Sequence, residues 1–131
     1  MSSKQYGPYR PVVRAGEFYF VSGQVGIDPK TGKASDDVRQ QAHQALVNLE
    51  AVLNDQGLSR YDIVKTTIYL TDIENFSKIN DVYCQMFDDP YSRPARSTVE
   101  VSGLPRLTTN KLTVEIEAVA HQPSVDLLQY E

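Results

Sequence analysis

Two side chains late in the chain are suited to act on a small acid. Arg96 stands in Pro94-Ala95-Arg96-Ser97 at the start of one strand-like segment, and Glu115 lies in the middle of the next, Val114-Glu115-Ile116-Glu117-Ala118. A guanidinium offers a planar fork of donors that matches a carboxylate bidentately. A glutamate whose surroundings bring its pKa nearer neutrality can hold and deprotonate a water. Together they suit hydrolysis of a small acid. Spacing alone favours the plainer reading, an ordinary ion pair exchanged across neighbouring strands.

Few other groups compete for a catalytic role. Cys84 is the single cysteine, which excludes a disulfide framework and suits a reducing compartment. It lies about 120° from the centre of its helix's apolar stripe at ~100° per residue, with no activating histidine in view. His43 falls off the apolar stripe of the first helix, and His121 stands where the last strand gives way to the tail; both read as solvated. Gly23-Gln24-Val25-Gly26 lacks the lysine and the flanking pattern of a phosphate loop. No metal-ligand spacing stands out, so no metal is expected.

The elements that must carry these residues are legible from periodicity. Glu17–Ser22 is aromatic and β-branched and follows Ala15-Gly16, which predicts a strand after a tight turn, with Val12-Val13-Arg14 as its hairpin partner. Asp28-Pro29-Lys30-Thr31-Gly32 carries the chemistry of a chain reversal. Val38, Ala42, Ala45, Leu46, Leu49, Val52 and Leu53 trace one stripe of a helix from Ser35 or Asp36 to Gln56, with Gly57 to end it. Asp62–Leu70 is too β-branched and short for a helix and reads as a buried strand. A second helix, capped by Asp72 and stopped by Pro90, is marked by Phe76, Ile79, Val82, Tyr83, Met86 and Phe87. Strands follow at about Arg96–Val101 and Lys111–Ala120, and Gln122–Glu131 has no persuasive pattern.

Two helices cover one face of such a sheet and leave the other bare. Along the last strand Leu112, Val114, Ile116, Ala118 and Ala120 share a side, while Thr113, Glu115, Glu117 and Val119 share the opposite one. Arg96, Thr98 and Glu100 similarly oppose Ser97, Val99 and Val101. The helix-free face therefore mixes charges with apolar area, a surface suited to contact between subunits. With 131 residues and 14.7 kDa the chain has room for one domain, 1–131, and a composition of 40% hydrophobic and 23% charged residues is that of a globular protein. Thirteen basic against seventeen acidic residues give a net charge of −4, and no basic aromatic stripe is present, so nucleic acid is an unfavoured partner. The absence of a leader-like segment and of a long apolar run predicts a soluble cytoplasmic protein with no membrane partner.

Six blocks in order give the chain a resemblance. Gly7-Pro8-Tyr9, Val21-Ser22-Gly23-Gln24, Val64–Asp72, Ile79-Asn80, Pro94–Val101 and Val114–Ala120 together resemble the RidA/YjgF family of reactive imine and enamine deaminases, over about residues 6–121. The resemblance implies an α+β, chorismate mutase-like fold: a mixed sheet with two helices on one face, three copies forming a trimeric barrel, and three clefts between subunits. It implies that Arg96 grips the substrate carboxylate and Glu115 positions the attacking water. Tyr9, Ser22, Gly23, Asn80 and Thr98 would bind substrate. The implied reaction is hydrolysis of 2-imino or enamino acids, such as 2-aminoacrylate or 2-iminobutanoate, to 2-keto acids and ammonia without a cofactor.

Three departures bear on the substrate. Arg10-Pro11 replaces the Ser-Gln that many members carry after Gly-Pro-Tyr, Thr98 stands where many have cysteine, and the loop from Leu104-Pro105 to Lys111 is longer than usual. The longer loop and Arg10 favour a larger or dicarboxylic substrate, such as an aminomuconate-type enamine. Two other classes remain beside the deaminase: a non-catalytic module that binds keto acids or regulates through them, and the ribonuclease or translation-inhibitor role ascribed to relatives, against which the charge argues.

Overall fold

The computed structural model describes residues 6–123. In chain order the strands and helices are β1 (Val12–Ala15), β2 (Phe18–Val25), β3 (Ile27–Asp28), β4 (Lys33–Ala34), α1 (Val38–Asp55), β5 (Ile63–Leu70), α2 (Phe76–Met86), β6 (Ala95–Glu100) and β7 (Val114–His121). Five strands form one mixed sheet in the order β1-β2-β7-β5-β6, and β3 pairs only with β4. The architecture is the α+β arrangement expected, with β5 and β6 parallel and the remaining pairs antiparallel. Residues 124–131 of the unassigned tail lie outside the described residues.

The strand order corrects one expectation. The two late strands do not adjoin, because β5 lies between β6 and β7. A parallel β5–α2–β6 unit lays its helix across one face and sets β6 down on the outer side of β5. Residues 101–113 then carry the chain back to the slot between β2 and β5. Arg96 and Glu115 therefore cannot form a cross-strand ion pair.

Turn chemistry sets the hairpins. Gly16, at φ +63°, turns β1 into β2, and Gly32, at φ +72°, closes the β3–β4 reversal. The Asp28 carboxylate accepts from the Lys30 N–H at 2.8 Å inside that reversal. The residues flanking it pair briefly as strands, which the turn signal alone did not reveal.

Helix α1 starts at Val38 with Asp37 in the N-cap position, later than Ser35 or Asp36. The Ser35 hydroxyl is engaged before the helix begins: it accepts from the Asp37 N–H at 3.0 Å and donates to Gln40 Oε1 at 2.8 Å. Asp72 does cap, but it caps a short 3-10 turn, Ile73–Asn75, that leads into α2. Gly57, at φ +77°, ends α1 as expected, and the Leu58 N–H closes on the Leu53 carbonyl at 2.9 Å.

The period-two reading of β7 holds. Val114, Ile116, Ala118 and Ala120 are buried against the helices beside Leu49, Leu53, Ile68 and Leu70. Leu112 joins a second cluster with Val25, Ile27 and Ala34, against which Tyr6, Leu104 and Leu107 pack. Buried polar groups pin the pieces together. Gln41 donates to the carbonyls of Ser35 and Lys111 at 2.7 and 2.9 Å, and its Oε1 accepts from the Thr113 N–H at 2.9 Å. Arg60 grips Glu50 with two bonds of 2.7 and 2.9 Å and donates to the Met86 carbonyl, tying α1 to the end of α2. Among the described residues no helix is long and apolar enough to cross a membrane.

Candidate functional site

The edge strand β6 presents Arg96 toward α2. Arg96 pairs with Thr66 and Thr98 with Ile68; Thr66 and Ile68 are fully buried, so this alternation of β6 shares the helix-covered side. On α2, Phe76, Asn80 and Tyr83 fall at i, i+4 and i+7 and form one stripe beneath the guanidinium. Arg96 Nη2 donates to Asn80 Oδ1 at 2.6 Å. Its guanidinium carbon stands 4.8 Å from the centre of the Tyr83 ring and 5.2 Å from that of Phe76, a cation–π setting that holds the fork in plane. The Tyr83 hydroxyl meets Thr66 Oγ1 at 2.7 Å. Burial pushes the Tyr83 phenol up, against the opposing pull of the Thr66 bond and of the Arg96 and Arg93 charges. Thr98 Oγ1 is buried and has no hydrogen-bond partner among the described residues. Beyond the Asn80 bond the Arg96 fork has no further hydrogen-bond partner among the described residues, which leaves donors for a carboxylate.

Glu115 occupies the other side of the sheet. It alternates with the buried Val114 and Ile116 and pairs with Tyr69 on β5. The register of β2 against β7 shifts between Val21 and Gln24, which places Ser22 and Gly23 in a bulge beside the Glu115 carboxyl. A Cβ on Gly23 would come within 2.6 Å of Glu115 Cδ and 2.9 Å of Cγ, so glycine is required for the carboxyl to lie there. Glu115 is half-buried, and its carboxyl accepts no hydrogen bond among the described residues. Burial first, and the Glu117 charge second, raise it above the usual carboxylate range. Glu117, on the same face, is instead engaged by the Tyr69 hydroxyl. That bond, with burial and the two carboxylates adding to it, pushes Tyr69 up to about 12. The alternation alone does not distinguish Glu115 from Glu117; among the described residues the Glu117 carboxyl is hydrogen-bonded and that of Glu115 is not.

Ser22 also fixes the segment before β1. Its hydroxyl donates to the Arg10 carbonyl at 2.7 Å, and its N–H donates to the Pro11 carbonyl at 2.9 Å. This fastens the stretch carrying Tyr9, an exposed residue whose ring folds back toward Gly7. The expected site residues thus gather into two groups. Arg96, Asn80 and Thr98 meet on the helix side, whereas Glu115, Gly23 and Ser22 meet on the bare side with Tyr9 tethered nearby. Within one chain the two groups stand on opposite faces and do not meet.

A family described as Endoribonuclease L-PSP matches residues 2–122. The chain belongs to that family, the RidA/YjgF family. Among L-PSP relatives it is 43% identical over 120 residues to a RutC family protein of Pyrococcus horikoshii, covering 91% of this chain and 90% of that one. It is 42% identical over 115 residues to the 2-iminobutanoate/2-iminopropanoate deaminase of Salmonella typhimurium, covering 87% of each. The crystal structure of Escherichia coli TdcF with bound serine superposes with a TM-score of 0.83 at 40% identity, covering 91% of both chains.

Periodicity alone does not single out several residues of this candidate site. Phe76 and Tyr83 read as apolar stripe, and only the folded chain shows them under Arg96. Their spacing with Asn80 was the available signal. Tyr69 was read as a strand residue; its cross-strand position opposite Glu115 depends on a register that no local pattern supplies.

Proposed function

We propose that this chain hydrolyses small 2-imino acids, or the enamines that tautomerise to them, giving 2-keto acids and ammonia in clefts shared by two copies of a homotrimer. The observation that carries the reading is Glu115: a half-buried carboxyl that accepts no hydrogen bond among the described residues, raised above its ordinary range and set against a glycine. Such a group is poised to accept a proton from water and return it. Arg96, with its fork steadied by Asn80 and two rings, supplies the matching carboxylate clamp. Because the two lie on opposite faces of one sheet, a productive cleft needs Arg96 from one copy and Glu115 from another.

In this reading Arg96 and the Thr98 hydroxyl hold the substrate carboxylate. Glu115 takes a proton from a water whose oxygen attacks the iminium carbon, and the C=N electron pair moves onto nitrogen. The resulting carbinolamine receives that proton on nitrogen. The C–N bond then breaks as the hydroxyl oxygen forms the ketone and yields its proton to Glu115, which passes it to solvent as the keto acid and ammonia leave. An iminium is already electrophilic, so positioning and one proton shuttle are sufficient assistance. The kinship to a named 2-iminobutanoate/2-iminopropanoate deaminase, and the serine held by TdcF, support a small carboxylate ligand.

A dehydratase that releases 2-iminobutanoate, coupled to purified protein, tests the reading directly. The imine should decay faster than in buffer, and Arg96→Ala should remove the gain. No acceleration with any 2-imino acid would overturn it. A module that only binds keto acids would retain its ligand and its effect in Glu115→Gln, whereas a deaminase would retain the ligand and lose turnover.

A further inference from the structure

The long return loop between β6 and β7 encloses a second, positively lined cavity. Both legs of the loop are hooked to the end of β5: the Val101 N–H donates to the Leu70 carbonyl at 2.7 Å, and the Thr71 N–H donates to the Thr113 carbonyl at 3.1 Å. Between them lies a hollow of about 340 Å³ whose polar wall is Thr71, Ser102, Arg106 and Lys111. No acidic residue lines it. Asp72 and Glu100, the nearest carboxylates along the chain, are turned to the 3-10 turn, where they accept from the N–H groups of Glu74 and Ile73 at 3.0 and 2.8 Å. Two cations and two hydroxyls around one hollow form an anion receptor.

The loop is held in shape by its own bonds. Leu104, Leu107 and Leu112 pack into the second hydrophobic cluster. Asn110 donates to the Ala34 carbonyl and to Asp36 at 2.8 and 2.9 Å, and the Lys111 carbonyl is bound by buried Gln41. The backbone that carries the two cations is therefore fixed before a ligand arrives. The hollow begins close to the proposed site along the chain: Thr71 directly follows β5 and stands two residues from Tyr69, the partner of Glu115, a span of at most about 7 Å.

We infer that the cavity lined by Arg106 and Lys111 is a subsite for the distal carboxylate of a dicarboxylic substrate. This rests on the deaminase reading for the proximal half of that substrate. The imino acid would then carry its second acidic group a few bonds beyond the reacting carbon, and the cavity would select it over a short apolar analogue.

Calorimetry with 2-oxoglutarate and 2-oxobutanoate, on the wild type and on Arg106→Gln/Lys111→Gln, tests the subsite without requiring turnover. Wild-type protein should bind 2-oxoglutarate at least about tenfold more tightly, the worth of one charge-assisted pair, and the double variant should lose that preference. Equal affinity for the two acids, or a preference that survives in the double variant, overturns the subsite. Unchanged melting of the double variant confirms that its fold is intact, since both side chains are exposed. Imine turnover measured alongside separates the two ideas. Hydrolysis of small imines with no dicarboxylate preference removes only the subsite, and a dicarboxylate preference with no hydrolysis of any imine removes only the deaminase reading.

Discussion

Gly23 and Glu115 carry the sharpest consequence of single side chains. Gly23→Ala would drive a methyl into the space that Glu115 Cδ and Cγ occupy, forcing the carboxyl aside. A displacement on the ångström scale costs a positioned group about 10²-fold, so kcat/KM for imine hydrolysis should fall by about that factor while the fold persists. Glu115→Gln separates function from stability. Because burial and Glu117 raise the folded-state pKa of Glu115, the unfolded chain releases this proton more readily than the folded one. The wild-type protein therefore loses stability as pH rises from the ordinary carboxylate range through the raised value. Glu115→Gln is spared that loss. Its melting temperature should match the wild type at low pH and exceed it at neutral pH, with activity abolished. A melting difference that does not grow with pH would contradict the assigned environment.

Among the elements, α1 decides whether the return loop has a shape. Gln41 is fully buried and serves the carbonyls of Ser35 and Lys111 together with the Thr113 N–H and hydroxyl. Gln41→Leu would leave those backbone groups without partners in an apolar setting, at about 2–4 kcal/mol. Denaturant unfolding should show a drop of that size, and hydrogen exchange at Thr113 should quicken more than exchange in β2. The Glu50–Arg60 pair plays a related part at the other end of α1. Burial pushes the Glu50 carboxyl up, but the Arg60 bonds outweigh it and hold it below the usual range. That contribution is present above the ordinary carboxylate pKa and is lost as pH falls through the lowered value.

For the whole molecule the issue is what covers the bare sheet face. Val13, Phe18, Phe20 and Val99 are exposed there, in register with Lys65, Glu115 and Glu117. A patch of that kind fits contact between copies. Light scattering should give three times the 14.7 kDa chain mass, and Phe20→Lys should shift the protein to smaller species with loss of turnover. A shared cleft makes a further demand. Refolding an equal mixture of Arg96→Ala and Glu115→Gln chains should restore activity in about one quarter of the clefts, because a cleft with both groups intact can draw one from each parent. No recovery in the mixture would mean that the two groups do not meet across subunits.

Local patterning in the sequence was enough for the two long helices, the five strands of the main sheet and their faces, though not for β3 and β4. β-branched alternation in Val114–Ala120 and the helical stripes through Leu49 and Ile79 are local signals, because burial of one face imposes a fixed period on the chain. The sequence also marked Arg96 and Glu115 by side-chain chemistry and by family resemblance. Only the tertiary structure decided that β5 separates their strands, that they face opposite ways, and that Phe76, Tyr83 and Tyr69 attend them. Strand order and register depend on non-local pairing and on which side a crossover helix falls, and no window of neighbouring residues encodes those. For the same reason the hollow at Arg106 and Lys111 appears only once both legs of the loop are hooked to the end of β5.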